Sequence, residues 1–240
     1  MLRPENGAAP DGEWPHTSLL GRLRGRTKEA LLNLGTPMNY AARQPVIRQG
    51  EDSRYVLLLL SGCVKVVVHT EVGQDVLVGM RGVGELVGEM ALLADDDRSA
   101  NVVTATPVRA RLIKGIELHE LMERNSELCV VVARMITERL RFADRRRVEF
   151  IACPAPERVG RVLVELVDQY GTHSSDGWRL RIPLNQAEIA SLAGVALSTA
   201  EKALQSMQRR AMLRRRYRHI VVTDLARLRS FSGLPERHSY

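Results

Sequence analysis

The feature that most constrains this chain is a rhythm of short apolar runs and glycine-bearing turns between residues 38 and 114. The runs are Tyr55–Leu60, Val64–His69, Asp75–Met80, Asn101–Thr106 and Val108–Ile113, with turn signals at Gln49-Gly50-Glu51, Ser61-Gly62, Val72-Gly73-Gln74 and Thr106-Pro107. Short β-branched or leucine-rich runs punctuated this closely predict antiparallel strands, hence a barrel or a sandwich. Aromatic residues are only 4% of the chain, so its core must be aliphatic. One stretch breaks the rhythm: Gly88-Glu89-Met90-Ala91-Leu92-Leu93 predicts a single short helical turn.

The flanks read differently. Residues 1–16 are rich in Gly, Pro, Ala and Asp without period, which predicts a flexible arm. Residues 17–35 predict a helix stopped by Gly35, and 116–124 another. Residues 126–151 contain neither Pro nor Gly. Within them Cys129, Ala133, Ile136, Leu140, Ala143, Arg147 and Phe150 alternate at spacings of four and three, a seam that pairs a helix with its twin in a homodimer. A helix packed on its own domain would carry a similar stripe, and Arg147 fits the seam poorly. Cys153-Pro154-Ala155-Pro156 ends the helix. The expected organisation is α+β: an arm (1–16), a strand-rich domain (17–125), a dimerisation helix (126–153) and a C-terminal domain (154–240).

Composition narrows the classes of function. No apolar run approaches the roughly 20 residues needed to span a bilayer, and the N-terminal residues lack the apolar core of a secretory signal. Three scattered cysteines form no C-x-x-C pair, which points to a reducing cytoplasm and away from a disulfide scaffold or zinc knuckle. His119-Glu120-Leu121-Met122-Glu123 starts like a zinc-protease helix, but its fifth residue is Glu rather than His. No phosphate-cradling Walker loop, nucleophile elbow or histidine cluster is visible, so neither an enzyme nor a metal site is expected.

Charge is unevenly spread. Residues 1–153 hold 21 Lys+Arg against 20 Asp+Glu, net +1, whereas 154–240 hold 14 against 8, net +6. A basic C-terminal third points to a polyanionic partner. Within it, Leu184 to Leu204 has the grammar of a helix-turn-helix. Ala190 is small where two helices cross, Gly194 permits the tight turn, and Ile189, Val195, Ala200 and Leu204 are spaced to share a core. The second helix would lie in a major groove of double-stranded DNA and present Leu197, Ser198, Thr199 and Lys202, with Gln186 opening the first helix. Strands near Met212–Arg215 and His219–Thr223 would form a hairpin. Arg209, Arg210, Arg214, Arg215, Arg216 and Arg218 stand in or before its turn, as phosphate contact requires.

A second signal lies among the strands. In Gly88-Glu89-Met90, followed by Arg98-Ser99-Ala100, a glycine opens a short helix whose free N–H groups can meet an anion. Arg98 can hold a phosphate with two parallel hydrogen bonds, Ser99 adds a hydroxyl, and Glu89 can accept from a ribose hydroxyl.

This cassette resembles the phosphate-binding segment of cyclic-nucleotide-binding domains. Cassette, strands, long helix and winged helix together resemble the CRP/FNR family of bacterial regulators over roughly residues 18–230. Gln49-Gly50-Glu51 and Leu60-Ser61-Gly62-Cys63-Val64-Lys65-Val66 match it too. The resemblance implies a jelly-roll β-barrel, a cAMP or cGMP effector rather than a bound cofactor, and a cytoplasmic homodimer that works with RNA polymerase. It also implies that Gly88 and Met90 offer backbone, that Glu89 takes the ribose 2′-hydroxyl, and that Arg98 with Ser99 holds the cyclic phosphate.

Three departures stand out. Ala143 and Asp144 occupy the positions where the cAMP-responsive member contacts adenine with a Thr-Ser pair; an ionised Asp144 only accepts, which suits adenine's amino group or, better, guanine's N1–H and N2–H. Leu197 and Ser198 replace the Arg and Glu that read base edges, and Lys202 replaces a second Arg, so an unusual operator is expected. Arg145-Arg146-Arg147 places three cations on the dimer helix. They form a solvated face, meet an extra phosphate, or pair with acids of the sister chain.

Overall fold

The computed structural model describes residues 14–180, 182–216 and 219–235. Two short helices, α1 (Leu19–Arg22) and α2 (Gly25–Asn33), replace the single helix expected over 17–35. Leu23 and Arg24 are extended, and Gly25 has a φ of 43°, so the chain turns where one helix would have continued. Strands β1 (Thr36–Tyr40), β2 (Pro45–Ile47), β3 (Tyr55–Ser61), β4 (Val64–His69), β5 (Asp75–Arg81) and β6 (Leu86–Val87) follow. Then come α3 (Glu89–Ala94), β7 (Asn101–Thr104), β8 (Val108–Lys114), α4 (Gly115–Arg124) and the long α5 (Ser126–Ala152).

The strands form two antiparallel four-stranded sheets, ordered β1-β8-β3-β6 and β2-β7-β4-β5. The expected closed barrel is therefore corrected to a pair of open sheets. Edge strand β6 has two residues and edge strand β2 three, with a register shift in β2, so these ladders end instead of continuing across. Val46, Ile47, Val64 and Val102 of one sheet share a core with Leu57, Leu59, Val87, Val108 and Ala110 of the other. Val56, Leu58, Leu86 and Ile113 join a second core, against Leu19, Leu20, Leu31, Leu118 and the α5 residues Leu128, Val131, Val132 and Met135. Strand β3 thus buries side chains on both faces, which is why its sequence, Tyr55–Leu60, is continuously apolar.

The chain divides into two compact units at Leu140/Arg141, inside α5. The second unit continues with α6 (Ala155–Tyr170), β9 (Gly171–Ser174), β10 (Gly177–Leu180), α7 (Gln186–Ala193), α8 (Leu197–Arg209), β11 (Leu213–Arg216), β12 (His219–Val222) and α9 (Leu225–Phe231). Its strands form a four-stranded sheet ordered β11-β12-β10-β9. Helix α6 is its spine, burying Val159, Val162, Leu163, Val164, Leu166 and Val167. No helix among the described residues is long and apolar enough to cross a membrane.

Candidate ligand cassette and nucleic-acid interface

Gly88 sits at the N-cap of α3 with a φ of 90°. A Cβ there would lie 2.8 Å from Ile47 Cδ1 and 2.9 Å from Arg98 Nη1, so conformation and space both demand glycine. Arg98 is 3% exposed. Its Nε donates to Ser53 Oγ (2.9 Å), its Nη1 to the Gly88 carbonyl (2.6 Å), and its Nη2 to the Tyr55 carbonyl. The guanidinium carbon lies 5.1 Å from the Tyr55 ring centroid. Burial pulls the Arg98 pKa below its usual value, an effect Tyr55 opposes and Arg54 reinforces. Burial also raises Tyr55, whose hydroxyl donates to the Val46 carbonyl at 2.5 Å. The main chain fixes the other end of Arg98. Gly50 N–H donates to its carbonyl (2.8 Å), and its own N–H donates to the Glu51 carbonyl (3.2 Å).

Glu89 is also buried, 4% exposed, and its Oε1 is paired with Arg139 of α5. Arg139 further donates to the Leu86 carbonyl at 3.3 Å and lies 4.0 Å from Glu85. Met90 and Ser99 are exposed beside them. The structure therefore brings Gly88, Glu89, Met90, Arg98 and Ser99 together. Ala143 and Asp144 are exposed on α5 and belong to the second unit. Sequence reasoning missed Ser53, Tyr55 and Arg139, because each reaches the cassette from more than 40 residues away.

In the second unit, Asn185 caps α7: its side chain accepts from Glu188 N–H (2.8 Å), and Glu188 accepts from Asn185 N–H (2.9 Å). Gly194 ends α7 in the left-handed conformation, φ 59°, as the expected tight turn requires. Ile189, Ala190, Ala193, Ala200, Ala203, Leu204 and Met207 are buried, whereas Val195 is only half-buried. Leu197, Ser198 and Lys202 are exposed along α8; Thr199 is half-buried. Arg214 and Arg215 are exposed on β11, Arg216 pairs across the hairpin with His219, and Arg218 lies outside the described residues. With its amide oriented so that each atom meets a complementary partner, Gln186 donates to Glu201 Oε1 (2.9 Å) and accepts from both terminal nitrogens of Arg215. Gln186 thus joins the wing to both helices.

The end of α5 is tied into this unit by cations. Arg158 donates to the carbonyls of Phe150 (3.0 Å), Cys153 (3.4 Å), Ala193 (3.1 Å) and Gly194 (3.0 Å), and its guanidinium carbon stands 4.8 Å from the Phe150 ring centroid. Arg161 pairs with Glu149 at 3.0 Å. Of the three consecutive arginines, Arg146 turns onto its own chain, bonding Glu165 (2.9 Å) and the Leu192 carbonyl. Burial raises the Glu165 pKa, outweighing the nearby Arg146. Along the expected seam, Ala133, Leu140, Ala143, Arg147 and Phe150 are exposed; Cys129 and Ile136 are half-buried, Cys129 donating to the Met122 carbonyl at 3.2 Å.

Comparison with known proteins agrees with both halves. Residues 37–125 match the cyclic nucleotide-binding domain and residues 157–231 the Crp-like helix-turn-helix domain. The chain is 26% identical over 192 residues, 80% of its length and 86% of the relative's, to the CRP-like cAMP-activated global transcriptional regulator of Mycobacterium tuberculosis. It is 23% identical to the cAMP-activated global transcriptional regulator Vfr of Pseudomonas aeruginosa, covering 76% and 87% of the two chains. Two solved structures share its fold. The c-di-GMP responsive global regulator CLP of Xanthomonas campestris aligns with a TM-score of 0.69 at 22% identity, over 82% of this chain and 97% of that one. FixK2 from Bradyrhizobium japonicum aligns at 0.72 and 18%, over 85% and 100%.

A two-sheet domain with a buried-arginine cassette, followed by a long helix and a winged helix-turn-helix, defines a transcription regulator with a cyclic-nucleotide-binding domain. The chain belongs to the CRP/FNR family.

Proposed function

We propose that this protein is a cytoplasmic homodimer whose operator binding is controlled by a cyclic nucleotide, cAMP or cGMP, and which contacts RNA polymerase. The carrying observation is Arg98, a buried cation whose guanidinium is braced at the Gly88 turn, with the Glu89 carboxylate buried one residue further on. In this reading Arg98 and Ser99 take the cyclic phosphate, Gly88 and Met90 lend backbone groups, and Glu89 accepts from the ribose. Ala143 and Asp144 meet the base, and Asp144 sets the preference. Residues 17–125 bind the ligand, 126–153 pair the protomers, and 154–240 bind DNA through Gln186, Leu197, Ser198, Thr199, Lys202, Arg215, Arg216 and Arg218. Two recognition helices then enter successive major grooves about 34 Å apart. The nucleotide activates only if it binds the DNA-competent state more tightly than the other state.

Calorimetric titration with cAMP and, in parallel, cGMP tests this. Binding of one nucleotide per protomer, with tighter operator binding in its presence, is expected. No heat with either at two temperatures overturns nucleotide control. A second reading, a regulator of this family that needs no nucleotide, draws on the same arginine, since three of its N–H groups already have partners within the protein.

A further inference from the structure

We propose that Ser53 is a positioning residue for the ligand's phosphate, acting through Arg98; this rests on the cassette reading above. A guanidinium has five N–H donors. Arg98 commits three, to Ser53 Oγ, the Gly88 carbonyl and the Tyr55 carbonyl. One N–H remains on each terminal nitrogen, and in the proposal these two form the fork that meets two oxygens of a phosphate diester. The direction of that fork is set by rotation about the last bonds of the side chain, and the Nε bond to Ser53 fixes that rotation. Two of the three anchors are main-chain carbonyls, which no side-chain substitution removes. Ser53 is the anchor that is a side chain.

The loop carrying Ser53 also holds the Arg98 backbone, through Gly50 and Glu51. One segment therefore clamps both ends of the arginine. Of the acids nearby, Asp52 and Asp95 pair with Arg54 at 2.7 Å and 2.8 Å, and Glu51 acts on Arg98 through charge without a hydrogen bond to the guanidinium. That leaves the Ser53 hydroxyl as the acceptor for Nε. Nothing in the stretch 88–100 encodes this contact, which crosses 45 residues of sequence.

The test uses the full-length protein, cAMP and cGMP, and the two phosphorothioate diastereomers of whichever nucleotide binds. Ser53→Ala should weaken nucleotide binding by about tenfold, the loss expected for one hydrogen bond to a charged group. It should also narrow the ratio between the diastereomers, because a loosened fork no longer addresses the two oxygens separately. Ser53→Thr, which keeps the hydroxyl, should restore both. Wild-type affinity in Ser53→Ala, or weakened binding with the diastereomer ratio unchanged, overturns the proposal. If Ser53→Ala lowers the melting midpoint, Ser53→Cys, with a weakly accepting sulfur, carries the same comparison. Failure of the wild type to bind either nucleotide overturns the cassette reading itself, and the role of Ser53 with it.

Discussion

Arg98 donates to the carbonyl of Gly88 at 2.6 Å, and Gly88 is held at a φ of 90° with no room for a Cβ. Turn and cation therefore depend on each other. Gly88→Ala adds left-handed strain and two close contacts, together expected to cost about 2–3 kcal/mol. Thermal melting reads the stability, and titration reads the cassette. An unchanged midpoint would show that the neighbours of Gly88 yield freely.

Arg98→Ala should abolish the response to nucleotide while leaving nonspecific DNA affinity intact. Arg98→Lys should not rescue it, because an ammonium cannot serve three fixed acceptors and a phosphate in one plane. Operator binding by Arg98→Ala, followed by fluorescence anisotropy with and without nucleotide, decides. A surviving response would move the ligand elsewhere.

For DNA binding the readout is salt. Removing one cation from a phosphate makes the plot of log K against log salt shallower by about 0.9. Lys202→Ala and Arg215→Ala should each do so for every protomer engaged. Arg215→Ala should also affect α8, because Gln186 links Arg215 to Glu201. An unchanged slope in Arg215→Ala would leave that arginine with a purely structural task.

Glu165 gives the second unit a pH dependence of predictable sign. Burial raises its pKa in the folded state, so the fold takes up its proton more readily than the unfolded chain. Its contribution is complete below the unfolded pKa and is lost as pH rises through the folded value. The stability of the wild type relative to Glu165→Gln should accordingly fall as pH rises from the acid range toward neutrality, measured by urea unfolding at a series of pH values. A rise would mean that the Arg146 pair dominates.

Much of this molecule was legible because local chemistry forced it. Gly88 and Gly194 both hold positive φ at the turns where the sequence placed them. The helix expected over 126–151 and the one expected to open at Gln186 appear within a residue of those positions, because caps, prolines and apolar spacing act over a few residues. What stayed hidden depends on distant partners. Closure of the sheets turned on edge pairing, which six-residue runs do not encode. The polar stretch after Tyr170 forms β9 because β10 pairs with it. Arg146 has three readings in the sequence, a solvated face, an extra phosphate or acids of the sister chain, and none of them places it against Glu165 and Leu192 of its own chain. Ser53, an ordinary loop serine in sequence, acquired its role only when Arg98 folded against it.

Arg158 carries a practical consequence. It holds carbonyls at the end of α5 and at the end of α7 at once, and its guanidinium covers the Phe150 ring. A DNA-binding fragment cut at Pro154 would delete Arg146, Glu149 and the Phe150 and Cys153 acceptors, leaving Arg158 with only its Ala193 and Gly194 carbonyls, Arg161 without its carboxylate partner and Glu165 without the Arg146 counter-charge. The smallest piece expected to behave as the intact unit does starts near Arg141, a dozen residues before the proline break.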